Sequence, residues 1–83
     1  MHIRYFAWLR QRIGVAEETV SPPGEVADVA GLMAWLKARG APYDTAFEPD
    51  EVIRVAINQV YARRDAPVGP GDEVAFFPPV TGG

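Results

Sequence analysis

Cysteine is absent from all 83 residues. Its absence excludes disulfides, thiolate metal sites and a cysteine nucleophile. Histidine occurs once, as His2. A lone histidine builds no metal centre, so no metal ligands are expected and His2 reads as a solvated edge residue. A cationic excess is missing as well: eight Lys and Arg stand against eleven Asp and Glu, a formal charge of −3. This argues against a nucleic-acid partner, which needs a positive face, and favours association with a basic protein surface. No apolar run approaches the ~20 residues of a membrane span. The first residues read as a strand, not a signal peptide, so no membrane partner and a cytoplasmic location are expected. Paired carboxylates, a Ser/His/Asp set and a phosphate-binding glycine loop are all lacking. The chain is therefore expected to bind no cofactor and to carry no catalytic machinery of its own.

What is present is enough for one small domain. The hydrophobic fraction of 48% supports a single packed core and is too high for a disordered chain. A domain of this length buries only about 60–65% of its unfolded surface, so modest stability is expected without a partner.

The chain ends Phe76-Phe77-Pro78-Pro79-Val80-Thr81-Gly82-Gly83. Pro78 and Pro79 fix φ near −65° and favour extended backbone, and they push the residue before each of them out of the helical region. Gly82 and Gly83 have no side chain and pass where a Cβ would not fit. Residues 78–83 span at most ~20 Å at about 3.3–3.6 Å each. The geometry is that of a thin arm bearing an α-carboxylate, suited to delivery into another protein's active site. The bland alternative is a frayed terminus. A frayed end is usually polar, however, whereas here two phenylalanines and two prolines lead straight into the glycines.

Along the chain, residues 3–8 form an expected first strand. Residues 10–14 are a turn or short helical link, and residues 18–20 a second strand stopped by Ser21-Pro22-Pro23-Gly24. Asp28 is a suitable N-cap for the one clear helix, about 28–39. Val29, Leu32, Met33 and Leu36 make its apolar stripe, Gly40 and Pro42 end it, and Gly31 suggests close helix–sheet contact. Residues 41–51 are a connector, with Tyr43 and Phe47 against the core edge. Residues 52–57 are a third strand, Asn58-Gln59 a weak hairpin signal, residues 60–62 a short return strand, and residues 73–77 the last strand. One helix on a mixed sheet of four to five strands is an α+β roll.

One helix covers one face. Alternation sends Ile3, Tyr5, Val55, Ile57, Val74 and Phe76 inward. It sends Arg4, Phe6, Trp8, Arg54, Ala56, Ala75 and Phe77 to the open face, which Tyr61 joins. An apolar cluster of Phe6, Tyr61 and Phe77 rimmed by arginines reads as a protein-binding surface.

The opening strand Ile3-Arg4-Tyr5-Phe6-Ala7, the helix start Asp28-Val29-Ala30-Gly31-Leu32, the segment Ala56-Ile57-Asn58-Gln59 and above all residues 71–83 resemble the ubiquitin-like β-grasp sulfur carriers, in particular their molybdopterin-synthase branch. Gln59 departs from the glycine that many relatives carry, and the loop at 41–51 is this chain's own. The resemblance implies a β-grasp domain over 1–77 and an extended tail over 78–83. It implies that an adenylating enzyme similar to the ubiquitin activators binds the open face and uses ATP to adenylate the Gly83 carboxylate. A sulfur donor then converts it to a thiocarboxylate. The charged carrier docks on the synthase large subunit, inserts Pro78, Pro79, Val80, Thr81, Gly82 and Gly83, and gives its sulfur to a cyclic pterin precursor, building a dithiolene. The implied assembly has two small and two large subunits. Phe77 is the expected anchor, and Asp72 and Glu73 are expected turn and strand-edge residues that help docking on a basic surface. The same resemblance leaves open sulfur delivery to the thiamine thiazole or to tRNA, and isopeptide attachment to lysines.

Overall fold

The computed structural model describes residues 1–79. Five strands, β1 (His2–Tyr5), β2 (Glu17–Thr19), β3 (Arg54–Ile57), β4 (Val60–Ala62) and β5 (Glu73–Phe77), form one sheet in the order β2-β1-β5-β3-β4. The central pair β1–β5 is parallel, and every other pair is antiparallel. The main helix, α2 (Val29–Lys37), lies on one face, as expected, with Val29, Leu32, Met33 and Leu36 buried.

The start of α2 is held without loose ends. Asp28 Oδ1 accepts from the Gly31 N–H at 2.7 Å, and the Val29 and Ala30 N–H groups donate to the carbonyls of Ala66 and Arg64 at 3.1 and 2.9 Å. These are the first-turn donors that a helix leaves unpaired, so the segment at 64–66 acts as a second cap. Gly31 is explained by this cap and not by the sheet: a Cβ there would stand 3.0 Å from the Asp28 carboxylate.

Two short helices complete the fold, one where a turn or short helical link was expected and one inside the expected connector. The first strand stops at Tyr5, short of the expected residue 8, and the turn or short helical link expected at 10–14 is the helix α1 (Trp8–Ile13), which starts two residues earlier. Its start is Ala7, with a positive φ of 55° and no side-chain cap, and its end is the left-handed Gly14 with φ of 94°, whose N–H donates to the Arg10 carbonyl. Leu9 and Ile13, one turn apart, bury α1 against the core. A segment this short shows a single i, i+4 pair, too little to outweigh its β-forming residues by pattern alone. Trp8 is consequently not on the open face. It packs against the core cluster, with the Arg12 guanidinium 4.6 Å from its ring centroid.

The connector at 41–51 contains α3 (Tyr43–Ala46) and a 3₁₀ turn (Asp50–Val52), which delays β3 to Arg54. Phe47 does not sit at the core edge. It is 1% exposed and meets Phe76 edge-on at 5.1 Å and Tyr5 at 6.4 Å, with Tyr5 and Phe76 stacked at 6.4 Å. Three aromatic rings with favourable edge and offset contacts thus form the centre of the core. Tyr43 stays half-buried and turns its hydroxyl to Glu18, 2.7 Å away. Glu18 also accepts from Tyr5 at 2.8 Å and Arg39 at 3.2 Å. Burial pushes its carboxyl up, but these hydrogen bonds outweigh burial and hold it below the usual range.

Candidate docking face and tail base

The face opposite α2 is organised in rows, because paired residues in neighbouring strands project to the same side. One row runs Glu17, Arg4, Ala75, Ala56, Tyr61 across the five strands. The next row toward the chain's end pairs Phe77 with Arg54. Phe6 lies beside it just beyond β1, its N–H donating to the Phe76 carbonyl at 3.1 Å. The two alanines make a low floor, and the aromatics stand around it. An open groove of about 600 Å³ results, lined by Phe6, Ala75, Ala56, Tyr61, Phe77 and Pro78 among others.

The structure therefore brings Phe6, Tyr61 and Phe77 together in one groove, and Pro78 and Pro79 line it as well. Tyr61 is 78% exposed and Phe6 40% exposed. The Tyr61 and Phe77 rings lie 5.7 Å apart, and the Arg4 guanidinium sits 5.2 Å from the centre of Phe6, a distance at which cation and ring attract. Exposed aromatics against a floor of small residues can accept an apolar ridge from another protein. Val80, Thr81, Gly82 and Gly83, expected to form the rest of the arm, lie outside the described residues.

Two features of the site were not seen in the sequence. The first is the clamp at the β3–β4 hairpin. Asn58 and Gln59 both have positive φ, 51° and 70°, the pattern of the tight hairpin turn whose twist matches the strands. Asn58 then bridges to the start of β5: its Nδ2 donates to Asp72 Oδ1 at 3.0 Å and its Oδ1 accepts from the Glu73 N–H at 3.0 Å. Asp72 also accepts from the Gly69 N–H at 2.8 Å. Hydrogen bonds from Asn58 and the Gly69 backbone hold its carboxyl below the ordinary aspartate range. Asp72 is a turn residue as expected, but its carboxylate is committed to this clamp. Glu73 points to the open face, 3.9 Å from Arg4, and His2 lies 3.2 Å from Glu17.

The second is Arg64. Its guanidinium donates to the carbonyls of Asp50 and Ile53, the latter at 2.7 Å, while its own carbonyl caps α2. One residue thereby joins the helix, the 3₁₀ turn and Ile53, the residue that leads into β3 beside the tail base. No local pattern announces such a role.

Comparison with known proteins places these observations. The ThiS family matches residues 3–83. The chain is 35% identical to the molybdopterin synthase sulfur carrier subunit of Haemophilus influenzae, covering 100% of this chain and 99% of that protein. It is also 35% identical to the Escherichia coli subunit of the same name, covering 98% and 96%. Among solved structures, molybdopterin converting factor subunit 1 of Pyrococcus furiosus superposes with a TM-score of 0.77 at 33% identity, covering 95% of each chain. Small archaeal modifier protein 1 of Haloferax volcanii superposes with a TM-score of 0.76 at 27% identity, covering 96% and 97%.

Proposed function

This chain belongs to the ThiS family, and we propose on that premise that it is the sulfur carrier and small, non-catalytic subunit of a molybdopterin synthase. The observation that carries this reading is the end-to-end match to two proteins bearing that name. The groove supports it, since it is lined by Phe77, Pro78 and Pro79, the residues that lead in sequence into the diglycine.

In this reading the Gly83 carboxylate attacks the α-phosphate of ATP held by an adenylating partner, and pyrophosphate leaves. A carboxylate is a poor acyl donor, and AMP supplies the leaving group it lacks. A sulfur donor then displaces AMP, giving the thiocarboxylate. Its soft, polarisable sulfur is the better nucleophile at neutral pH: while the carrier is docked on the synthase large subunit it forms a bond to a carbon of the cyclic pyranopterin precursor, and water then cleaves the acyl carbon–sulfur bond, leaving the sulfur on the pterin and returning Gly83 to its carboxylate. This chain contributes the handle and its presentation: the prolines limit the entropy lost when the arm is immobilised, Gly82 and Gly83 fit a narrow tunnel, and Phe6, Tyr61 and Phe77 anchor the body. Acids, bases and phosphate-binding groups belong to the partners.

Deletion of Gly83 tests the reading. It is expected to leave the fold intact and to abolish both thiocarboxylate formation and dithiolene synthesis. The wild-type readout is an oxygen-to-sulfur mass gain localised to the terminal glycine by fragmentation. A deleted protein that still supports dithiolene synthesis would refute the proposal. The likeness to the archaeal modifier protein favours one second reading, isopeptide attachment to lysines; higher-mass conjugates that vanish with Gly83 would establish it.

A further inference from the structure

Beside the tail base, on the β3–β4 side of Phe77, lies a second open recess lined by Arg54, Arg63, Arg64, Tyr61, Phe77 and Pro79, with Glu51 and Asp65 among the remaining lining residues. The chain as a whole carries a formal charge of −3, yet here three guanidinium groups meet two carboxylates. None of the three is paired with a carboxylate among the described residues, where the arginine–carboxylate pairs are Arg4–Glu73 and Arg39–Glu18.

Two of these arginines are held by neutral groups. Arg64 donates to the carbonyls of Asp50 and Ile53, and Arg54 donates to the Glu51 carbonyl at 3.3 Å. A carbonyl satisfies a guanidinium N–H and fixes the side chain without cancelling its charge. The charge is therefore kept, while part of the rotamer entropy that a binding partner would otherwise have to remove is already lost. Arg54 is the register partner of Phe77, so this charge stands directly beside the aromatic at which the tail leaves the sheet. The carboxylates of the open face are engaged at its other end, where Glu73 faces Arg4 and Glu17 faces His2.

We infer that Arg54, Arg63 and Arg64 form a cationic rim that recognises a cluster of Asp and Glu side chains at the mouth of the tail-accepting tunnel on the synthase large subunit. The inference rests on the carrier reading above and adds the partner's surface chemistry to it. It also reverses, at this end of the face, the basic partner surface expected from net charge. Charge pairs at an interface rim act mainly on the association rate and its salt dependence.

The test is association of the full-length chain with the large subunit from the same organism, followed by stopped flow or surface plasmon resonance over a range of NaCl concentrations. The variants are Arg63→Glu, at a residue whose side chain makes no hydrogen bond among the described residues and whose carbonyl still accepts from the Ala66 N–H, and Arg54→Glu/Arg63→Glu, each checked by thermal denaturation. The double variant is expected to associate at least about tenfold more slowly at low salt, with the difference shrinking as salt rises and the dissociation rate nearly unchanged. If the double variant does not fold, Arg63→Glu alone is expected to shift the rate in the same direction and to flatten the salt slope. Wild type that binds, with folded variants matching its rates and salt slope, overturns the rim while leaving the carrier reading standing. Faster association of the variants shows a basic partner surface and also overturns it. Failure of wild type to bind the large subunit at any salt overturns both.

Discussion

Phe77 and Tyr61 face each other across the groove, 5.7 Å between ring centres, but they differ in what their loss does. Phe77 is half-buried and projects to the open side, so Phe77→Asp is expected to leave the core intact and weaken large-subunit binding by more than ~2 kcal/mol, as for a central anchor. Isothermal titration checks it, and an unchanged dissociation constant would remove Phe77 from the interface. Tyr61, at 78% exposure, gives the cleaner separation. Tyr61→Ala is expected to change folding stability by no more than about 0.5 kcal/mol while still lowering affinity. Asn58 acts in the opposite sense. It tolerates a φ of 51° and makes two bonds to residues 72 and 73, so Asn58→Ala is expected to cost roughly 1–2 kcal/mol of stability, seen as a lower urea midpoint with an unchanged slope.

Among the elements, α2 shows how far local rules reach. Asp28 as N-cap, the buried stripe Val29, Leu32, Met33 and Leu36, and an end before the left-handed Gly40 (φ 88°) all agree with the sequence reading. Asp28→Ala is expected to cost about 1 kcal/mol, a fall of roughly 4–8 °C in Tm for a domain of this size. The carbonyls of Ala66 and Arg64 continue to serve the neighbouring donors, so the helix is expected to persist by circular dichroism. The short elements behave differently. Trp8–Ile13 and Tyr43–Ala46 are too short to be stable by propensity. They exist because Leu9, Ile13 and Phe47 fill space left beside Tyr5 and Phe76. Their cause is the sheet and α2, which are remote in sequence, and that is why pattern reading left the first open between a turn and a short helical link and saw the second only as a connector.

Taken whole, the molecule gathers three shifted ionisable groups at one junction, where Glu18 of β2 meets Tyr5 and Tyr43 beside the Arg39 guanidinium. The Glu18 carboxyl is lowered from 4.5 and that of Asp72 from 3.8. On acidification the unfolded chain therefore takes up protons first, and stability present above those values is lost as pH falls through them. Burial first, and then Glu18, push the Tyr5 and Tyr43 hydroxyls above 10.0. The unfolded chain loses these protons first, so stability is also lost as pH rises beyond about 10. Urea midpoints measured against pH are expected to show a plateau between these limits, and Glu18→Gln is expected to flatten the acid limb. An acid limb unchanged in that variant would show that other carboxylates govern it.

The sequence by itself determined the main helix and its cap, the inward and outward sets of β1, β3 and β5, and the grouping of Phe6, Tyr61 and Phe77. These follow from periods of two and 3.6 residues and from the chemistry of a capping side chain, which are local. The tertiary structure alone decided that Trp8 packs against the edge of the core, that Phe47 sits at its centre, that Asn58 clamps Asp72, and that Arg64 ties distant segments together. Each of these depends on a contact between segments distant along the chain, and such contacts leave no trace in the spacing of neighbouring residues.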